Sequence, residues 1–170
     1  IFQSSVVRAM CAVRSAEIYA ERGDMASARR HFVEQRLLHP ERAATLYLME
    51  AELLRDHERI SEATQVYDDA VAAFPGDADI LYARAMHGAS MNRLDILERD
   101  LRTILASEPD HADALNALGY TLADQTDRYE EAFELISRAL ELKPENAAIV
   151  DSMGWVHYRL GNLEAALAYL

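Results

Sequence analysis

The stretch "DALNALGYTLADQTDRYEEAFELISRALELKPEN", residues 113–146, holds two apolar patterns separated by a polar break. In the first pattern, Leu115, Leu118 and Leu122 recur at intervals of three and four, the spacing that brings side chains to one face of an α-helix. The second pattern has the same spacing and comprises Tyr129, Ala132, Phe133, Ile136, Ala139 and Leu140. Because the break "QTDR" lacks apolar residues, the stretch predicts two helices joined by a short turn.

A proline closes this unit and recurs along the chain. Pro144 cannot continue a helix, because it lacks a backbone N–H and restricts the residue before it. The chain has four prolines, at positions 40, 75, 109 and 144, separated by 35, 34 and 35 residues. Such regular spacing is typical of an internal repeat.

Other positions share this period. One series is small: Ala16, Ala51, Ala85, Gly119 and Gly154. A second series is Ala28, Ala63, Leu97, Ala132 and Ala166, and a large apolar series is Phe32, Tyr67, Leu101 and Ile136. The series predict an all-α chain with repeats at 9–43, 44–77, 78–111 and 112–146, a partial repeat at 147–170, and the tail of a preceding helix at 1–8.

Local signals predict where helices begin and turn. Asp77 and Asn146 precede the first helix of a unit, and their side-chain oxygens can accept bonds from unpaired backbone N–H groups. Gly23 and Gly161 fall in the turn between the two helices, where a positive φ favours glycine.

A single helix pair cannot bury its apolar face, so neighbouring pairs must stack. The pattern resembles the tetratricopeptide repeat (TPR) family, whose period is about 34 residues. In the fourth repeat the matching residues are Leu115, Leu118, Gly119, Leu122, Ala132, Ile136, Ala139 and Pro144; in the second they are Tyr47, Ala51, Leu54, Ala63, Tyr67, Ala70 and Pro75. The resemblance implies one TPR-type α-solenoid over residues 1–170, a right-handed superhelix of antiparallel helix pairs. Arg84 and Gly88 depart from the pattern, which usually has large apolar residues there.

Residues 113–170, ending in "DSMGWVHYRLGNLEAALAYL", also resemble the outer-membrane TPR lipoproteins of Gram-negative bacteria. Among these, the LbcA-type adaptors present substrates to a periplasmic carboxyl-terminal processing protease. This resemblance implies a lipid-anchored scaffold in the periplasm, with that protease and its cell-wall-enzyme substrates as partners. The lipid-bearing cysteine would lie outside this chain, since Cys11 falls inside a predicted helix. A cytoplasmic location is the alternative.

The charge balance limits the partners. The net charge is −12 and the pI is about 4.8, so the surface repels phosphate backbones and nucleic-acid binding is not expected. A partner attracted by electrostatics should be neutral or basic.

The sequence offers no pattern for catalysis or metal binding. Its six histidines are His31, His39, His57, His87, His111 and His157, and no two are four residues apart on a helix as a zinc site would require. The single cysteine, Cys11, has no histidine within ten residues. We therefore expect no catalytic, cofactor-binding or metal-binding residues, no cofactor, and no enzyme activity in this chain.

One stripe on the first helices of the repeats is the candidate binding surface. In TPR proteins these helices line a concave groove, and the stripe that would face it comprises Leu48, Glu52, Tyr82, Met86, Asn116, Tyr120, Asp151, Trp155 and Tyr158. Acidic neighbours are Asp56, Asp79, Asp113 and Asp124. Tyr and Trp give a large contact area for little ordering entropy, which favours a groove for a protein segment. The alternative is that some of these residues pack between repeats.

Two charged residues occupy a position that is usually apolar. Glu50 and Arg84 stand in the same place of adjacent repeats. We hypothesise a partly buried ion pair between them, with two independent, solvent-seeking side chains as the alternative.

The expected function is that of a non-catalytic adaptor holding a protein segment in its groove. One alternative is a TPR arm of a larger enzyme, such as a glycosyltransferase, with catalysis elsewhere. Another is an assembly module, in which Ala166, Leu167 and Leu170 at the partial repeat would support a homodimer.

Overall fold

The structure, a computed structural model, describes residues 14–169. Within that range it contains helices and turns and no strand, which confirms the all-α prediction. The helices are α1 (residues 14–21), α2 (Met25–Leu38), a 3-10 turn (Pro40–Arg42), α3 (Ala43–Asp56), α4 (Ile60–Ala73), α5 (Ala78–Ser90), α6 (Leu94–Ser107), α7 (Ala112–Gln125), α8 (Tyr129–Leu142), α9 (Ala147–Arg159) and α10 (Leu163–Tyr169). Cys11, Leu170 and the proposed tail at 1–8 lie outside the described residues.

The described residues divide into two compact units, unit 1 ending at Ala83 and unit 2 beginning at Arg84, with the boundary inside α5. In unit 1, α2 packs on α3 and α3 on α4. In unit 2, α7 packs on α8, α9 packs on α10, and α9 also contacts both α7 and α8. Each unit is therefore built from helix pairs that stack on the next pair, which is the α-solenoid arrangement predicted from the repeat. The exact repeat bounds and the single-domain organisation stay predictions.

The periodic residues form the cores. In unit 1 the buried cluster comprises Ala16, Ala20, Met25, Ala28, Phe32, Leu46, Ala51, Leu54, Ala63, Val66 and Tyr67. In unit 2 the buried apolar residues include Leu97, Leu101, Leu115, Leu118, Leu122, Ala132, Ile136, Ile149, Met153 and Val156. Every member of the small series is buried. A Cβ on Gly119 would lie 2.7 Å from Ile136 Cγ1 and 3.0 Å from the Ala132 carbonyl oxygen, so glycine lets α7 and α8 come together.

The predicted helix ends are confirmed. Asp77 Oδ1 accepts a hydrogen bond from the Ile80 backbone N–H at 3.0 Å. Asn146 Oδ1 accepts bonds from the N–H groups of Ala148 and Ile149. Gly23 and Gly161 have φ angles of 79° and 81°, the left-handed conformation expected in the interhelix turn.

Glu50 and Arg84 each have partners within their own unit. The Glu50 carboxylate is 1% exposed and accepts bonds from Arg29 Nε at 3.0 Å and Arg36 Nη1 at 2.5 Å. Arg84 donates two bonds to Asp100, at 2.7 and 2.9 Å, and Asp100 is also buried. The two charges thus stand in apolar positions because arginine or aspartate side chains on neighbouring helices compensate them. The hypothesis of a Glu50–Arg84 pair did not include these partners and stays a hypothesis.

Candidate functional site

Unit 2 contains an aromatic cavity of about 550 Å³ on α7, α9 and α10. The residues that line this aromatic cavity are Tyr120, Asp124, Asp151, Gly154, Trp155, Tyr158, Leu163, Ala166 and Leu167. Its volume is within the range of roughly 300–1,000 Å³ found for ligand-binding clefts. The cavity thus joins aromatic and aliphatic side chains to two carboxylates.

Part of the cavity wall is formed by residues that come directly after members of the small series in the sequence. Tyr120 follows Gly119 on α7, and Trp155 follows Gly154 on α9, so both side chains leave their helices beside the closely packed face. The Trp155 and Tyr158 rings stack with centroids 5.4 Å apart and an interplanar angle of 28°. Tyr120 is 41% exposed and Tyr158 54% exposed, whereas Trp155 is half-buried and its indole nitrogen is buried. Tyr120 and Tyr158 therefore offer most of the accessible aromatic surface.

Arg159 fixes α9 against the preceding helix pair. Its Nη1 donates to the Asp124 backbone carbonyl at 3.0 Å, and its Nη2 donates to the Tyr129 hydroxyl at 2.7 Å. The guanidinium also lies 4.8 Å from the Tyr129 ring centroid and 5.8 Å from that of Trp155. These bonds hold Trp155 and Asp124 at the same edge of the cavity.

Two carboxylates border the aromatic surface. Asp124 near the end of α7 and Asp151 in α9 both line the cavity, and both residues are exposed. Paired acidic groups beside aromatic rings favour a cationic group next to an apolar one. They would repel a carboxylate that entered the same cavity.

The outer part of the cavity corresponds to a covered surface in the preceding helix pair. By the repeat alignment, Tyr158 corresponds to Ala123, and Leu167 corresponds to Phe133. Ala123 is fully buried, and the Phe133 ring makes an edge contact with His157 of α9 at 5.3 Å. Leu167 is 76% exposed. The outer wall is therefore a surface of the kind on which a further helix packs, whereas Tyr120, Asp124 and Asp151 belong to the predicted groove face.

The structure brings together only part of the predicted stripe. Tyr120, Asp151, Trp155 and Tyr158 share the aromatic cavity, but Met86 and Asn116 of unit 2 are half-buried and do not line it. In unit 1, Leu48 packs against the hydrophobic core and fits the alternative of a packing residue, while Glu52 is exposed and Tyr82 is half-buried. The binding role of the whole stripe stays a prediction.

Three lining residues came from a helix that the predicted stripe did not include. Leu163, Ala166 and Leu167 of α10 complete the cavity, whereas the stripe was drawn on the first helix of each repeat. The signal for them was the spacing of Leu163 and Leu167, which are four residues apart and so lie on one helix face.

Within residues 14–169, no group of three or more His, Cys, Asp or Glu side chains has the arrangement of a metal site. None of the helices in the same range combines the length and apolar character needed to cross a membrane.

These features define an α-solenoid of stacked helix pairs with an aromatic, acid-bordered cavity on one unit. The chain belongs to the tetratricopeptide repeat family, whose sequence profile matches residues 48–95 and 98–147, more than half of the chain. A TPR repeat-containing protein of Pseudomonas aeruginosa is 43% identical over 158 residues, which cover 93% of this chain and 27% of that relative. The chain thus spans about a quarter of the curated relative it matches.

Solved structures show the same fold. A tetratricopeptide repeat protein from Parabacteroides merdae has a TM-score of 0.76 at 18% identity, over 93% of this chain and 62% of that one. MamA from Desulfovibrio magneticus has a TM-score of 0.71 at 18% identity, over 95% of this chain and 90% of that one. YrrB, described as a TPR protein with an unusual peptide-binding site, has a TM-score of 0.67 at 18% identity, over 93% and 80%. These likenesses confirm the TPR-type fold.

Proposed function

We propose that this chain is a non-catalytic protein-interaction scaffold that holds a segment of a protein partner in the aromatic cavity of unit 2. The observation that carries the proposal is the meeting of Tyr120, Trp155 and Tyr158 with Asp124 and Asp151 around about 550 Å³. Aromatic side chains anchor protein interfaces because they bury a large area at low entropic cost. The peptide-binding site described for the structurally similar YrrB supports this type of function for the fold.

The lining chemistry indicates which segment fits. A bulky apolar side chain would lie against the exposed face of Tyr120, and a neighbouring Lys or Arg would meet Asp124 or Asp151. The net charge of −12 favours the approach of such a basic segment.

The partner that we propose is a periplasmic carboxyl-terminal processing protease, together with the substrates presented to it. The proposal rests on the resemblance of residues 113–170 to the LbcA-type adaptors, and the bacterial origin of the 43% identical relative supports it. The full protein would then be periplasmic and held at the outer membrane by a lipid on a cysteine outside this sequence. Fractionation of the full-length protein with metabolic labelling by a radioactive fatty acid tests this location. Full-length protein that carries no radioactive fatty acid and is found in the cytoplasmic fraction would contradict this location.

The binding test uses the immobilised chain and the purified protease in biolayer interferometry. Tyr120→Ala should weaken binding by about tenfold or more, because it removes an exposed aromatic anchor. Asp124→Asn should weaken binding more at low ionic strength than at high ionic strength, because salt screens the attraction between the carboxylate and a basic segment. The control is Tyr19→Ala, which removes a tyrosine of α1 that is also exposed but lies outside the cavity.

Circular dichroism of each variant checks that the fold is retained. Equal affinity of the Tyr120 and Tyr19 variants would remove the aromatic cavity from the proposal. Sedimentation velocity shows whether the chain self-associates. Self-association that abolishes protease binding would favour the homodimer instead.

A further inference from the structure

Unit 1 contains a second recess, between α2 and α4. One cavity of about 440 Å³ is lined by Val33, Arg36, Leu37, Ala43, Tyr47, Asp69, Ala73 and Phe74. An adjoining cavity of about 420 Å³ shares Val33, Arg36, Tyr47 and Asp69 with it and extends towards the start of α2. Because they share four lining residues, the two cavities form one continuous recess, here named the α2–α4 furrow. None of its residues lines the aromatic cavity of unit 2.

One half of the α2–α4 furrow is apolar where the repeat is otherwise polar or small. Val33 is 46% exposed and Leu37 is 79% exposed, and they lie one helical turn apart on α2. The same two positions, counted back from the repeat proline, hold Asp68 and Ala72, Arg102 and Ala106, and Ser137 and Glu141 in the next three repeats. Large, exposed apolar side chains at positions that are polar or small in the other repeats indicate an interaction surface.

The floor of the apolar half is a rigid aromatic pair. The Tyr47 and Phe74 rings make an edge contact with centroids 6.3 Å apart. The Arg36 guanidinium lies 4.0 Å from the Tyr47 ring centroid while it donates to the buried Glu50. The floor is therefore fixed by packing and by a charged hydrogen bond before any partner arrives, which lowers the entropic cost of binding.

The other half of the furrow is rich in arginine. Four arginines line it, Arg29, Arg30, Arg36 and Arg59, against three carboxylates, Glu50, Glu62 and Asp69. Arg29 bonds to both Glu50 and Glu62, and Glu62 also pairs with Arg59. The exposed Arg30 donates to the Ser27 hydroxyl. Cations therefore exceed anions here, although the chain as a whole carries a net charge of −12.

We propose that the α2–α4 furrow is a second docking surface, which binds an amphipathic helix of another protein with acidic residues beside its apolar face. Two apolar side chains one turn apart would cover Val33 and Leu37 above the Tyr47–Phe74 floor. A carboxylate from the next turn would meet Arg30, since arginine binds carboxylates with two parallel hydrogen bonds. This is the helix-in-groove mode of recognition, with anchors spaced by three or four residues. Its charge preference is opposite to that of the aromatic cavity.

The test uses two fluorescein-labelled helical peptides of about four turns. Both carry leucines four residues apart; one has glutamates at the border of the leucine face, and the other has lysines there. Fluorescence anisotropy with the whole chain carrying Tyr120→Ala, which removes an anchor of the aromatic cavity, should show the glutamate peptide binding about tenfold or more tightly than the lysine peptide. Net charge alone predicts the reverse order, so this result cannot arise from the overall field.

Three variants locate the binding. Leu37→Asp should weaken binding of the glutamate peptide by about tenfold or more, whereas Leu38→Asp should change that affinity by less than about twofold. Leu38 is the matched control, because it is 68% exposed on the same helix and lines neither cavity. Arg30→Glu should remove the preference for the glutamate peptide.

Several outcomes would overturn the proposal. These are a tighter lysine peptide, equal losses in the Leu37 and Leu38 variants, and an unchanged preference in the Arg30 variant. Sedimentation velocity gives a further criterion: self-association of the chain that Leu37→Asp abolishes would make a second copy the occupant, not a different protein. Both leucines are largely exposed, so their replacement should leave the circular dichroism spectrum unchanged, and the variants report on binding rather than folding.

Discussion

At the scale of single residues, Glu50 is a charge buried beside a core of alanine and larger apolar residues. Its carboxylate is held between Arg29 and Arg36, and Arg29 continues to Glu62 on α4. One carboxylate thus links α2 to α3, and Arg29 extends the link to α4. Removal of the carboxylate would leave Arg36, which is itself largely buried, without its partner.

This arrangement gives a stability prediction for unit 1. Glu50→Ala should lower the free energy of unfolding by about 3–5 kcal/mol, because it breaks a buried ion pair and leaves uncompensated charge. Glu52→Ala, two residues along the same helix at an exposed position, should change it by less than about 0.5 kcal/mol. Urea unfolding followed by circular dichroism measures both. A similar loss in the two variants would show that burial of Glu50 is not the cause.

At the scale of elements, four charged side chains connect α6 to α8 in unit 2. Glu98 accepts bonds from Arg102 and Arg128, and Glu131 accepts bonds from the same two arginines. Burial raises the pKa of Glu98, but the bonds from Arg102 and Arg128 outweigh it, so its pKa lies below the usual value of 4.5. The bond from Arg102, opposed by burial and supported by Arg128, likewise lowers the pKa of Glu131.

The lowered pKa values fix the direction of a pH effect. A carboxyl group with a lower pKa in the folded state binds fewer protons there than in the unfolded chain. Its contribution is therefore complete above the unfolded pKa of about 4.5 and is lost as the pH falls through the folded pKa. The side chains are partly exposed, so the network should contribute only about 1 kcal/mol.

The corresponding experiment compares the wild-type chain with the double variant Glu98→Gln, Glu131→Gln. The variant should unfold at a lower temperature at pH 7, and this difference should shrink towards zero as the pH approaches 3. Differential scanning calorimetry at several pH values provides the measurement, and Glu134→Gln on the exposed side of α8 is the control. A difference that grew on acidification would contradict the assigned pKa directions.

At the scale of the whole molecule, the net charge of −12 governs which macromolecules approach. Addition of the chain should not change the fluorescence anisotropy of labelled duplex DNA at physiological ionic strength, because DNA binding depends on cations that neutralise phosphates. A lysine-containing peptide that carries one aromatic residue should associate more slowly as salt is raised, since screening weakens the attraction of the acidic surface. Salt-sensitive DNA binding at micromolar concentration would show that the arginines of α2 outweigh the overall field.

Much of the fold followed from the period of the sequence. Pro40, Pro75, Pro109 and Pro144 marked where helix pairs end, and Asp77 and Asn146 marked where the next pairs begin. These signals are local: a proline or an N-cap acts on its own backbone, whatever the rest of the chain does. The core positions of the periodic series also followed, because a helix has only one face that can pack on its partner.

The candidate sites followed only in part. Tyr120 and Trp155 were predicted because they directly follow the small residues on their helices, and they share one cavity. Leu48 was predicted for the same stripe, and it is partly buried against the hydrophobic core of unit 1. The arginines around Glu50 were not predicted, because Arg29 and Arg36 are 21 and 14 residues away and meet it only through packing.

The sequence by itself determined the all-α fold, the pairing of helices and the family, since all three depend on a periodic pattern that recurs in each repeat. The tertiary structure alone decided which side chains share a surface. It placed Asp124 of α7 and Leu163 of α10 in the lining of one cavity, and Val33 of α2 and Phe74 after α4 in the lining of another. The physical reason is that periodicity fixes the face of each helix, whereas a cavity depends on how closely three helices approach and on which side chains fill the space between them.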